Sequence, residues 1–271
     1  MSLSYKPTVV SFLDVLGTRE RIDFASKYNV HRIFHESMRD FAKRDRQDLS
    51  YARKMFNFSD CAYLLHELKS EARNDENSED ALINVALHNT MLVTLRLLYE
   101  GYLVRGGIVF GDAYHDDLSL FGPAVEEAYL IESKQAVVPR IMLSGTLGAR
   151  AKALTDRNHE EFFSDENPQW SYIPRPSYIP EMVSCQNNSY FLNPFYQFEM
   201  GQAVQIGNEH VTHECFKNAI LEKLDEQTPA HPWEDPTRAK LEWMKDLVRG
   251  SHRSVPDGHD GLTTFSLPTD K

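Results

Sequence analysis

Two acids stand where apolar segments break. Asp14 closes the run Thr8-Val9-Val10-Ser11-Phe12-Leu13, and Asp60 falls between Phe56-Asn57-Phe58 and Cys61-Ala62-Tyr63. A pair of carboxylates converging from neighbouring strands can hold two divalent cations, which is the requirement of two-metal phosphoryl chemistry. Gly17 and Thr18 follow Asp14. If a helix starts there, its free N–H groups and dipole favour a phosphate. Taken singly, an acid at a strand end is commonly a cap or a turn former. Capping does not explain why a second acid arrives at the hairpin of an adjacent strand.

The elements that must carry these residues are legible in outline. Thr8 to Leu13 is a compact β-branched and apolar run, as in a buried central strand. From residue 18 to 43 apolar residues recur at helical spacing. Tyr51 to Leu68 reads as a hairpin turning at Ser59-Asp60. An acidic loop over 70–80 leads to a long amphipathic helix from about Ala81 to Tyr99, ended by Gly101. Tyr102 to Phe110 is a strand whose interior Gly106-Gly107 marks a bulge or the close approach of another backbone or a ligand. A polar loop follows, then a helix from Pro123 and a short strand over Val137 to Leu143. This order, β-α-β-β-α-β, predicts an α+β, ferredoxin-like split βαβ fold, in which the first strand and the hairpin are neighbours and Asp14 and Asp60 converge.

Residues 1–155 form the expected core and 156–271 a C-terminal extension, packed on it, completing a dimer or continuous with it in one domain. In the extension a strand pair is expected over Tyr190 to Met200, helices over His213 to Leu224 and Thr237 to Val248, and irregular chain from Gly250. Its aromatic residues, Trp170, Tyr172 and Tyr178 among them, suit packing better than ligand stacking.

Composition narrows the function. The 271 residues are 41% apolar and 25% charged, as in a folded globular protein. Twenty-nine Lys and Arg against 40 Asp and Glu give a formal charge of −11, the wrong sign for a nucleic-acid or anionic membrane surface. A small anionic ligand remains compatible, because bound cations reverse the local sign. Three separated cysteines, Cys61, Cys185 and Cys215, support neither a disulfide framework nor a zinc ribbon. His31 and His35 are spaced i, i+4, but Arg32 stands where the H-E-x-x-H pattern has its acid, and the aromatic neighbours favour a packed helix face. The short apolar run at the N-terminus meets Asp14 too soon for a signal or a span, so a cytoplasmic protein is expected.

The same residues resemble a known family. Phe12-Leu13-Asp14-Val15-Leu16-Gly17 is similar to the F-x-D-[IV]-x-G motif of class III nucleotide cyclases, and Ser59-Asp60 to their second metal aspartate. Arg105-Gly106-Gly107-Ile108-Val109-Phe110-Gly111 resembles their R-x-G-I-x-x-G strand. The segment Ser119 to Ala128 resembles the C-L-F-G-D-x-V-N-x-A stretch of guanylate cyclases. The likeness covers roughly residues 8–145. In detail it is nearest the compact bacterial cyclases of Pycsar antiphage defence, which make cyclic UMP or cyclic CMP. It implies that Asp14, Asp60 and the Val15 carbonyl hold two Mg²⁺ or Mn²⁺ ions and that Arg105 contacts the triphosphate of UTP or CTP. It also implies a homodimer with sites at the interface and a separate effector that reads the product.

The departures carry information too. The family's transition-state Asn and Arg fall on Glu126 and Leu130, leaving Lys134 and Arg140 as the nearest substitute cations. The two base-selecting positions fall on Phe56 and Ser119, which do not form the purine-reading pair and suit a smaller pyrimidine pocket. Tyr51 and Asn57, on the same strand as Phe56, offer stacking and an amide for a pyrimidine edge. Glu126, Glu127 and Glu132 look like a carboxylate cluster, but the first two diverge by about 100° on a helix and read as first-turn acids. UTP is the favoured substrate. The alternatives are a nucleotide-binding sensor without turnover and a metal-dependent nuclease or polymerase-like palm, the latter opposed by the net charge.

Overall fold

A strand that is apolar on both faces needs cover on both sides, and β1 (Lys6–Val15) has it: Val9 to Leu13 are fully or almost fully buried. The computed structural model describes residues 4–17, 23–45, 50–70, 76–162, 180–206, 209–228 and 235–252. β1 lies between β3 (Cys61–Leu68) and β4 (Val104–His115) and is antiparallel to both. Beyond β3 is its hairpin partner β2 (Tyr51–Phe58), and beyond β4 is the parallel strand β6 (Ile141–Leu143). The sheet order is β2-β3-β1-β4-β6-β8-β7, with β5 (Leu120–Phe121) paired to the far end of β4. Helix α1 (Phe24–Arg44) connects β1 to β2 across β3, and α2 (Glu76–Tyr99) connects β3 to β4 across β1. The architecture is mixed α+β, with a mixed sheet.

Side chains alternate along each strand, so the sheet has two distinct faces. Val9, Leu13, Leu64 and Ile108 face the layer formed by α1 and α2, with α4 (Gly145–Phe162), α6 (His213–Gln227) and α7 (Pro236–Gly250) around it. Val10, Phe12, Leu65 and Val109 face α3 (Pro123–Gln135). The alternation puts Asp14, Cys61 and Arg105 on the α3 face.

Several elements differ from expectation. α2 is buried nearly all round and not amphipathic, because the sheet, α1, α4 and α6 each take a side of it. Its Asn77–Tyr99 stretch is long and apolar enough to cross a membrane, yet 83% of the apolar window is buried inside the fold, as befits a central helix. β4 runs on through the expected polar loop to His115. The unforeseen α4 contains residue 155, and β7 (Val183–Gln186) with β8 (Ser189–Leu192) extends the same sheet. Only β8 lies in the expected Tyr190 to Met200 pair, which continues into the short helix α5 (Tyr196–Glu199). β9 (Val204–Ile206) and β10 (Glu209–Val211) form a separate ribbon. Trp170, Tyr172, Tyr178 and the chain after residue 252 lie outside the described residues.

Candidate functional site

Register builds the site. Asp14 pairs with Cys61 on one side and Arg105 on the other, so three chemically active residues stand in one row across β3, β1 and β4. The β2–β3 turn uses only Ser59 and Asp60, with Ser59 at φ 53°, and this tight reversal delivers Asp60 beside Cys61. The Val15 N–H donates to the Asp60 carbonyl at 3.0 Å, which ties the turn to the end of β1.

The Cys61 thiol donates to Asp14 Oδ1 at 3.2 Å, with Asp60 Oδ1 3.7 Å from the sulfur. Arg105 donates from Nε and Nη2 to Asp14 Oδ2, each at 3.2 Å, and its Nε also makes an ion pair with Glu132 Oε1. Glu132 comes from α3 and is 3% exposed. Two carboxylates, Asp14 and Glu132, thus share one guanidinium, and a third, Asp60, stands on the Cys61 side of Asp14. Burial raises the Glu132 carboxyl to about 7, with Arg105 opposing the rise and Asp14 reinforcing it. Burial, then the nearby Asp14 charge, pushes the Cys61 thiol up.

The donor set fits divalent cations. Ligand atoms from Asp14, Asp60 and Cys61 all lie within 4.8 Å of one another. Two hard carboxylates at that separation need only a small shift to meet one ion at about 2 Å each, as Mg²⁺ or Mn²⁺ requires. The surplus of negative charge acts in the same direction.

An aromatic surface adjoins the cluster on the same face. Phe12 and Tyr63 have ring centroids 4.6 Å apart, Tyr129 meets Phe12 edge-on at 5.7 Å, and Phe58 lies 6.4 Å from Tyr63. Burial raises the Tyr63 phenol to about 12, so it stays a neutral donor. Phe56 packs against this cluster, with Lys54 Nζ 5.3 Å above its ring. Lys54 also bonds Asp117 at 2.7 Å and the Asp116 carbonyl, and Asp116 Oδ1 accepts from Ser119 N at 2.7 Å. Lys54 therefore fastens the turn bearing Ser119 to the strand bearing Phe56.

Other sequence candidates stand apart. Tyr51 and Asn57 share β2 with Phe56 but point to the opposite face. Asn57 Nδ2 bonds His31 Nδ1 at 2.7 Å, and Tyr51 lines a cavity of about 270 Å³ with Arg53, Asn84 and His88. Gly17, at φ 77°, turns the chain after β1, whereas α1 starts at Phe24 with its first turn capped by Asp23 Oδ1 at 2.8 Å. The expected helix N-terminus at Gly17 is therefore not where α1 begins, because Asp23 supplies the cap. Thr18 lies outside the described residues. Glu126 and Leu130 are exposed on α3. Arg140 immediately precedes β6, its carbonyl accepting from Gly106 N at 3.2 Å and its guanidinium over the Phe191 ring.

Sequence reasoning passed over Cys61 and gave Glu132 no role. The register that sets Cys61 against Asp14 was implicit in a two-residue turn. Glu132 carried a signal of its own: it continues the i, i+4 line of small core residues Ala124 and Ala128. An acid in such a line is buried and needs a partner.

No family model and no curated protein matches the chain. Two solved structures of a bacterial light-regulated adenylyl cyclase are similar to it in part. One has 16% identity and a TM-score of 0.38 over 55% of this chain and 46% of its own. The other has 11% identity and a TM-score of 0.39 over 92% and 58%. The chain thus spans about half the length of these structures, and at such values neither defines its activity.

Proposed function

We propose that this chain is a nucleotide cyclase on a ferredoxin-like, class III type core, converting a pyrimidine nucleoside triphosphate, UTP foremost, into the 3′,5′-cyclic monophosphate and pyrophosphate. The observation that carries the reading is the row Cys61, Asp14, Arg105 with Asp60 at its end: two carboxylates and a guanidinium from adjacent strands on one sheet face. Divalent cations bound there would polarise the α-phosphate and favour the 3′-oxyanion and the leaving pyrophosphate.

The chain's own residues supply the rest. Asp14 and Asp60, with the Val15 carbonyl, hold the cations, and Arg105 neutralises triphosphate charge. The face formed by Phe12, Phe58, Tyr63 and Tyr129 offers rings on which a base can stack. Phe56 and Ser119, whose strand and turn are joined through Lys54, border that face, and neither is an acid or a base that would read a purine edge. Phe58 and Tyr129 are half exposed, as suits a site closed by a second copy of the chain. The cyclic product then serves as a cytoplasmic signal, read by a separate effector in antiphage defence.

Incubation with each of the four ribonucleoside triphosphates and Mn²⁺, with products identified by mass spectrometry, tests this. Cyclic UMP is expected from UTP, and Asp60→Ala should abolish it. A second reading, a nucleotide-binding sensor, is favoured by Glu126 and Leu130 standing where the family has its transition-state Asn and Arg. It requires four intact triphosphates together with saturable nucleotide binding.

A further inference from the structure

Both oxygens of Asp14 already have donors: Oδ1 takes the Cys61 thiol, and Oδ2 takes Nε and Nη2 of Arg105. A cation seated on Asp14 must therefore compete with a guanidinium for the same carboxylate. Arg105 has a second acid within reach. Glu132 is buried on α3, in ion-pair contact with Arg105 Nε, and Arg105 is its only basic partner among the described residues. One guanidinium is thus shared by two carboxylates on different elements, one at a strand end and one on a helix.

We propose that Arg105 is a built-in competitor of the divalent cation at Asp14 and that Glu132 is the positioning residue that holds Arg105 when Asp14 turns to the cation. This rests on Asp14 being a cation ligand. Glu132 is well suited to the task. It is immobilised between helix and sheet, and Gly107 opposite Ala128 lets α3 lie close enough for its carboxylate to reach β4. A long arginine side chain needs to swing only slightly to shift from two acceptors to one. Coordination of Asp14 and transfer of Arg105 to Glu132 are then two sides of one exchange, and the freed guanidinium edge is presented to an anionic ligand. Cation affinity in this site is set by the competition as well as by the ligands themselves.

Mn²⁺ binding to the whole chain without nucleotide, followed by the paramagnetic resonance signal of free Mn²⁺ and by calorimetry, reads this directly. Arg105→Met should bind Mn²⁺ about tenfold more tightly than the parent, and Glu132→Gln about five- to tenfold more weakly. The double variant separates acting through Arg105 from a direct effect of charge. If Glu132 acts through Arg105, Glu132→Gln changes little in the Arg105→Met background. If it acts by its charge alone, the same weakening recurs and the proposal fails. Glu132→Asp, which keeps the charge nearby, should recover most of the parent affinity. Arg105→Gln provides a second removal of the guanidinium, with circular dichroism verifying the fold of each variant. Mn²⁺ binding that Asp14→Asn abolishes but Arg105 variants do not strengthen overturns the competition and leaves the metal site standing. No Mn²⁺ binding by the parent chain overturns the metal site and the competition together.

Discussion

At the scale of the residue, Asp14 is a carboxylate whose neighbours make it costly in charge and cheap to lose in packing. It is one of two acids that share a single guanidinium, and Arg105 keeps Glu132 if Asp14 is removed. Asp14→Asn should therefore shift the free energy of unfolding by less than about 1 kcal/mol in a urea titration. Turnover should fall by about 10³-fold or more, equivalent to roughly 4 kcal/mol of transition-state stabilisation. A large loss of folding with retained turnover would mark Asp14 as a structural turn former. Asp14 and Asp60 were legible because each interrupts an apolar run. Tyr51 and Asn57 were misleading because neighbours along a strand look equivalent in sequence, while the pleat sends alternate residues to opposite sides. The hydrogen bond of Asn57 to His31 and the cavity around Tyr51 are the result.

At the scale of the element, α3 brings the buried acid to the sheet, and glycine governs its approach. A Cβ on Gly107 would fall under 3 Å from the Ala128 carbonyl and at 3.0 Å from the Ile131 side chain. Gly107→Ala should thus lift α3 from β4 and cost about 2–3 kcal/mol of stability by denaturant unfolding, with Mn²⁺ affinity falling as Glu132 retreats. The parallel change at Gly111 meets Ala124 Cβ at 3.4 Å and Val109 Cγ1 at 3.9 Å and should be mild. Sequence alone left Gly106-Gly107 as a bulge or a close approach and named no partner, since nothing local to β4 points to Ala128. α2 was misjudged for a related reason. Its apolar residues fill more than one stripe, and only the docking of α4 and α6 accounts for the surplus. α4 escaped notice because its polar residues Arg150 and Arg157 face the α2 acids Glu79 and Asp80, so charge pairing partly replaces the apolar stripe there.

At the scale of the whole molecule, the helix-covered side of the sheet buries neutral histidines. His66 is wholly enclosed, bonded to Asn89 at 2.9 Å, and burial, reinforced by the Arg53 charge, pushes its pKa down to about 3. Burial also lowers His88 and His159. A histidine depressed in the folded state gives stability that is full above about 6.5 and is lost as pH falls from there toward 3, because the unfolded chain takes the proton first. At pH 5, His66 alone should cost roughly 2 kcal/mol relative to pH 7. Glu132, raised to about 7, acts with the opposite sign over part of this range. The difference between chains isolates the effect: from pH 7 to pH 5 the parent should lose about 2 kcal/mol more than His66→Gln in paired urea titrations. Equal losses would show that His66 does not titrate with folding.

The row across β3, β1 and β4 also constrains the history of the chain. Asp14 meets Cys61 and Arg105 only because an odd or even place along β1 decides which side of the sheet a side chain takes. Exchanging Val for Ile within this strand disturbs packing locally, but inserting or deleting a single residue after Val9 would swing the acid into the helical layer and bring an apolar neighbour out in its place. Evolution is free to change the letters of this segment and is bound to keep their number.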